Sequence, residues 1–285
     1  IDLSTAALKL GSTSVAEAYL GSTLVWPPAA SGDADANAWI AQVNTDGGSL
    51  SATAEAAIEQ LAIDLKATTG LWTNLRTIYP LVGNNNASCK YNLKDASTGF
   101  TYTMTLNGGW VYNGNGVTGN GSNTRGETTL SPSILNGLGT GAGLHVYLTV
   151  NPTNQTGATS YDWGSSEQSV IAGFNNTTLY ANFGQGYKTV GGAVPSGAVG
   201  DFYSAQNNIG NTSNWKNGSS LASVGNTWQS SNTRGWSLGN DNRSTGYSEP
   251  GIKGFGFAAI SNYLDATQMA AFNTAVQTYN ASLSR

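Results

Sequence analysis

From about residue 84 to residue 260 the chain is a succession of short alternating runs cut by Gly, Asn and Ser clusters. This punctuation restricts its fold more than any other feature. Phe100–Leu106, Leu144–Val150 and Gly254–Ile260 each alternate, and a period of two sends successive side chains to opposite faces of a strand. Asn107-Gly108, Asn113-Gly114, Asn115-Gly116 and Asn217-Gly218 supply the positive φ that tight hairpins need. Many short strands with regular turn signals predict a sandwich or jelly roll.

The flanks read differently. Residues 1–28 repeat a pattern ten residues apart, Leu10-Gly11-Ser12-Thr13-Ser14-Val15 and Leu20-Gly21-Ser22-Thr23-Leu24-Val25. Each copy reads as a strand at a Gly-Ser turn. So few strands are not stable alone, so this segment is expected to pair elsewhere. Residues 29–83 read as a linker and a helical segment. Asp33 or Asp35 caps a first helix running through Val43. Ser51 caps a second, with Ala54, Ala57, Ile58, Leu61 and Leu65 at helical spacing until Gly70. A third short helix carries Trp72, Leu75 and Ile78 and stops before Pro80. Residues 84–285 form the sandwich and a closing helix. In that helix Asp265-Ala266-Thr267-Gln268 is a capping box, and Phe272, Val276, Tyr279 and Leu283 share a face. The predicted class is therefore mainly β, with a small N-terminal β segment, a short helical segment and a C-terminal helix.

Composition narrows the function. Charged residues make up 10%, against about 25% on average, and net charge is −4. No basic cluster suggests nucleic-acid binding, and no run of about 18 apolar residues suggests a membrane span. Hydrophobic residues at 39%, with 8 Trp and 13 Tyr, allow a core. The lone Cys89 permits neither an internal disulfide nor a Cys-based zinc site and reads as a small buried hydrophobe. Ile1-Asp2-Leu3 opens without the basic and apolar regions of a signal peptide, so cytoplasmic synthesis is expected.

Trp215-Lys216-Asn217-Gly218-Ser219-Ser220-Leu221-Ala222, followed by Gly235-Trp236-Ser237-Leu238-Gly239-Asn240, resembles the hairpin of concanavalin-like and laminin-G-like sandwiches. Phe257-Ala258-Ala259-Ile260 and Leu264-Asp265-Ala266-Thr267-Gln268 resemble their last strand and following helix. The segment from Trp72 to Gly83, with Tyr91–Asp95, resembles structural proteins of tailed bacteriophages. Tyr19–Trp26 resembles strand repeats that open phage fibres. The resemblance implies a concanavalin-like jelly-roll sandwich on a virion surface. Tyr19, Leu20, Leu24, Val25 and Trp26 would anchor it to virion partners or symmetry mates, as a homo-oligomer, a trimer by analogy with other appendages. It transfers no catalytic motif.

Read for chemistry, the β region offers little. A glycosidase needs two facing carboxyl groups, and only Asp162 and Glu167 lie near each other; turn acids facing water are the plainer alternative. His145, the only histidine, shares a strand face with Tyr147 and Thr149 and reads as exposed or hydrogen-bonded there. Asp241, between Asn240 and Asn242, is a weak calcium candidate in an Asn-rich turn; otherwise no cofactor is expected. Sugar binding needs only a flat aromatic with nearby amides and hydroxyls. Trp110, Tyr112, Trp163, Trp215, Trp228, Trp236 and Tyr247 are the candidates, although a sandwich core claims most large residues. The expected function is a non-enzymatic virion protein whose sandwich binds host surface glycan. A capsid decoration protein is the principal alternative, and a secreted glycan-active enzyme the third.

Overall fold

The computed structural model describes residues 9–10, 13–14, 18–20, 23–26, 32–139, 141–152, 161–165, 168–174, 178–183, 189–193, 197–206, 210–225, 232–243, 246–248 and 251–285. The chain forms two compact units, Ile1–Asp33 and Ala34–Arg285. In the first, Lys9–Leu10 pairs with Thr13–Ser14, and Ala18–Leu20 with Thr23–Trp26. These are two hairpins at the spacing of the sequence repeat. The anchoring candidates Tyr19, Leu20, Leu24, Val25 and Trp26 lie on the second hairpin.

The second unit is mainly β, built on two sheets that are antiparallel apart from one short parallel pairing of Ser165 with Asn242. The first sheet runs in the order Ser219–Gly225, Asn211–Lys216, Gly200–Gln206, Ala142–Val150, Gly254–Ser261, Gly116–Thr118, Val111–Asn113. The second runs Thr189–Ala193, Thr178–Phe183, Gln168–Phe174, Trp163–Ser165, Ser237–Leu238, Arg125–Glu127, Thr105–Asn107. Alternation along Ala142–Val150 sends Leu144, Val146 and Leu148 into the core between the sheets. There they join Phe202, Phe255 and Ile260, and meet Trp163, Leu179, Phe183 and Leu238 of the second sheet.

The opposite face of the first sheet is also buried. Helices Ala34–Thr45, Ala52–Ala67 and Ala266–Ser282 cover Tyr203, Ala205, Phe257 and Ala259. Their layer is held by Trp39, Ile58, Leu61, Leu65, Phe272, Val276 and Tyr279, all buried. Each such side chain stabilises by about 1.5–3 kcal/mol when taken from water. The expected caps at Ser51 and Asp265 form, while Asp35 lies within the first turn of Ala34–Thr45 instead of capping it. Ser51 Oγ accepts from Ala54 N at 3.1 Å, and the Asp265/Gln268 capping box closes reciprocally.

Two expectations are corrected. Only Leu71–Asn74 is helical in the predicted third helix; Leu75–Tyr79 is a strand pairing with Gly254–Ser261. Alternation of Leu75, Thr77 and Tyr79, together with the extended bias before Pro80, prevails over the helical spacing. In Phe100–Leu106 only Thr105 and Leu106 are strand, because Tyr102 takes a positive φ of 52°. The helices lie in the unit that begins at Ala34, as its third layer.

Candidate functional site

The edge hairpin of the first sheet gathers an aromatic and several hydroxyls on one face. Asn217 (φ 48°) and Gly218 (φ 75°) make the two-residue turn between Asn211–Lys216 and Ser219–Gly225. The turn sets Trp215 opposite Ser220. A bulge at Leu221 then sets Asn214 opposite Ala222 and Ser213 opposite Ser223. Directly opposed residues share a face, so Trp215, Ser213, Ser220 and Ser223 stand together. Ser213 Oγ donates to Ser223 Oγ at 2.9 Å, and Ser220 and Ser223 are exposed.

The same face continues inward as an aromatic row. Trp215 packs on Tyr203 with ring centroids 4.8 Å apart, and Tyr203 stacks on His145 at 4.0 Å. Phe272 of the C-terminal helix lies 4.2 Å from the imidazole. That helix also fixes the turn. Asn217 Oδ1 accepts from Asp201 N at 2.9 Å and from Gln277 Nε2 at 3.0 Å. The positive φ of Gly218 favours glycine, and a Cβ there would come within 2.8 Å of Asn273 Nδ2, so that side chain would have to shift. Trp215 therefore sits on a rigid element, backed by a ring on one side and partly open to solvent.

The other candidates fall elsewhere. Trp163 and Trp236 are fully buried and Trp110 is 6% exposed, so these three are core residues and offer no open face. Trp163 Nε1 donates to His145 O at 2.9 Å, and Trp110 packs edge-on against Phe255. Tyr112 stays partly exposed at the opposite edge of the first sheet, its hydroxyl accepting from Asn86 Nδ2 at 3.1 Å. Trp228 lies outside the described residues. Tyr247 lies on the Gly246–Ser248 strand, its side chain outside the described set. Among the proposed aromatics whose side chains are described, Trp215 and Tyr112 alone keep contact with solvent.

The proposed carboxylate pair does not stand in a cleft. Asp162 is fully buried, and its Oδ1 lies 2.8 Å from Nζ of Lys253, equally buried. Glu167 lies outside the described residues. His145 is enclosed rather than exposed. Its Nε2 lies 2.8 Å from Ser261 Oγ, its Nδ1 has no hydrogen-bond partner, and burial holds its pKa well below 6.5. Asp241 is 1% exposed and starts the Asp241–Arg243 strand instead of an open turn. Its Cα lies where only a glycine at 164 leaves room. Among the described residues no group of three or more His, Cys, Asp or Glu could hold a metal ion. Nor, among them, is any helix long and apolar enough to cross a membrane.

Sequence reasoning singled out Trp215 but not Ser213, Ser220 and Ser223. The signal for two of them was present. Ser213 is two residues from Trp215, and a two-residue turn places Ser220 opposite it. Asp201 was missed as well. It is 1% exposed, its Oδ1 has no hydrogen-bond partner, and burial pushes its carboxyl up to about 8.

No known family model matches the chain, and no curated protein is detectably similar. Similarity to solved structures is at the level of fold. The binding domain of botulinum neurotoxin DC in complex with SialylT is 10% identical, over 72% of this chain and 52% of that one, with a TM-score of 0.50. A Trypanosoma rangeli sialidase is 12% identical, over 70% of this chain and 32% of that one, also at 0.50. Domain 4 of a Geobacillus stearothermophilus GH43 arabinanase, in complex with arabinotriose, is 14% identical over 70% of this chain and 98% of that one, at 0.45. The chain spans about half the length of the botulinum toxin structures it matches. The class defined by fold is a jelly-roll-type β-sandwich, here with a helical layer on one outer face.

Proposed function

We propose that this chain is a non-catalytic glycan-binding β-sandwich protein. The observation that carries the reading is Trp215: a rigidly backed, partly open indole with three serine hydroxyls on its own face. An aromatic ring stacks on the apolar face of a pyranose while hydroxyls and amides bond its rim. The same fold occurs in a toxin binding domain held in complex with SialylT and in a sialidase, which accords with a sugar-directed role. Burial of Asp162 against Lys253 supports a binding rather than a hydrolytic module. On a glycan array the full chain is expected to bind, and Trp215→Ala to weaken binding at least ~10-fold, about 1.4 kcal/mol, with the chain still folded at the assay temperature although its melting temperature falls because the indole packs on Tyr203. Retained affinity would remove Trp215 from the site. Hydrolysis of a bound polysaccharide would overturn the non-enzymatic assignment.

The setting we propose is the surface of a bacteriophage particle, with residues 1–33 as attachment segment and the sandwich turned outward as a fibre or appendage. Support comes from the independence of that segment as a compact unit and from its repeated hairpins. Mass spectrometry of purified particles is expected to find the protein at a few dozen copies or fewer. Hundreds of copies would favour the decoration alternative, and absence from the particle would refute the setting.

A further inference from the structure

We infer that the Trp215 face selects uncharged glycan over sialylated or otherwise anionic glycan. This rests on the reading of that face as a sugar site and goes on to name its ligand class. Between Asp201 and Arg234 the only charged side chain is Lys216. Lys216 neighbours Trp215 in the strand and therefore points to the opposite face, where its Nζ lies 5.7 Å from the Phe202 ring centroid. Asp201 is enclosed, and its raised pKa keeps it neutral near pH 7. The helix that borders the face, Ala266–Ser282, carries no charged residue at all; it presents Asn273 and Gln277 to the turn.

An anionic sugar gains most from a cation that offsets the desolvation of its carboxylate, since charge-assisted bonds are the stronger ones. Among the described residues this face supplies none. It supplies what an uncharged pyranose needs: a flat ring, the Ser213, Ser220 and Ser223 hydroxyls, and an indole N–H. Among the described residues Trp215 Nε1 has no hydrogen-bond acceptor, so that donor is available.

The test compares an uncharged oligosaccharide with its sialylated counterpart by calorimetry on the full chain at low and high salt. Tighter binding of the uncharged form is expected, with affinity changing less than ~2-fold between 50 and 500 mM salt, because no ion pair is there to be screened. Lys216→Ala is expected to leave it unchanged. Ser220→Lys, at an exposed position that does not endanger folding, is expected to create measurable affinity for the sialylated form. A native preference for the sialylated form, or affinity falling with salt, overturns this inference while leaving the sugar site in place. No binding to either form overturns both.

Discussion

Replacing Asp201 with asparagine is expected to stabilise the protein near neutral pH and to flatten its stability profile between pH 4 and 8. The carboxyl lies on the helix-covered face of the first sheet, 1% exposed, with no partner at Oδ1. Burial moves it from 3.8 up to about 8. The folded state therefore holds a proton that the unfolded chain has released. The contribution of Asp201 to stability is most favourable below pH 3.8, falls by up to about 1.4 kcal/mol per pH unit through the interval, and levels off above about 8. At pH 7 the proton uptake costs the fold about 4 kcal/mol at most. An amide of the same shape needs no proton, so Asp201→Asn should recover about 2–4 kcal/mol, measured by urea unfolding across pH. His145 gives the opposite slope. It is held neutral under Phe272, so stability is lost as pH falls below 6.5, where the unfolded imidazole charges. The two slopes oppose each other below that pH, and the variant should reveal the histidine alone. A variant destabilised at every pH would show that the native carboxylate is ionised and bonded.

Local signals decided what was legible in the sequence. The two long helices, their caps and the C-terminal capping box follow from residues a few positions apart. The Asn217-Gly218 turn is equally local, and it placed Trp215 opposite Ser220. The bulge at Leu221 is not local. Without it Ala222, not Ser223, would oppose Ser213, and nothing in the strand's own residues announces the slip. Leu75–Tyr79 failed for a related reason. Its spacing fits helix and strand equally, and the partner that settles the matter, Gly254–Ser261, is far along the chain. Burial of the aromatics is also a long-range property. Trp110, Trp163 and Trp236 sit in turn-rich stretches that read as loops, yet the facing sheet closes over them. The helical layer hid His145 and Asp201 in the same way, by covering a face that alternation alone would leave in water.

Lys253→Met is expected to cost about 3–5 kcal/mol. Lys253 and Asp162 are both fully enclosed, with Nζ and Oδ1 2.8 Å apart. Truncating the cation takes the Lys253 charge away from a buried carboxylate, and the desolvation of that carboxylate contributes much of the penalty. The pair also lies where separate segments meet. Gly239 N donates to Asp162 O at 2.9 Å, Gly251 N to Gly239 O at 3.0 Å, and Gly119 N to Lys253 O at 3.0 Å. Losing the ion pair should therefore loosen several backbone connections together. A double variant, Asp162→Leu with Lys253→Met, removes both charges and should recover much of the loss, because an apolar replacement of similar volume needs no counter-ion. Urea unfolding of the two single variants and the double closes the cycle. Equal and additive losses would show that the two groups do not depend on each other, and would reopen Asp162 as a carboxylate with another role.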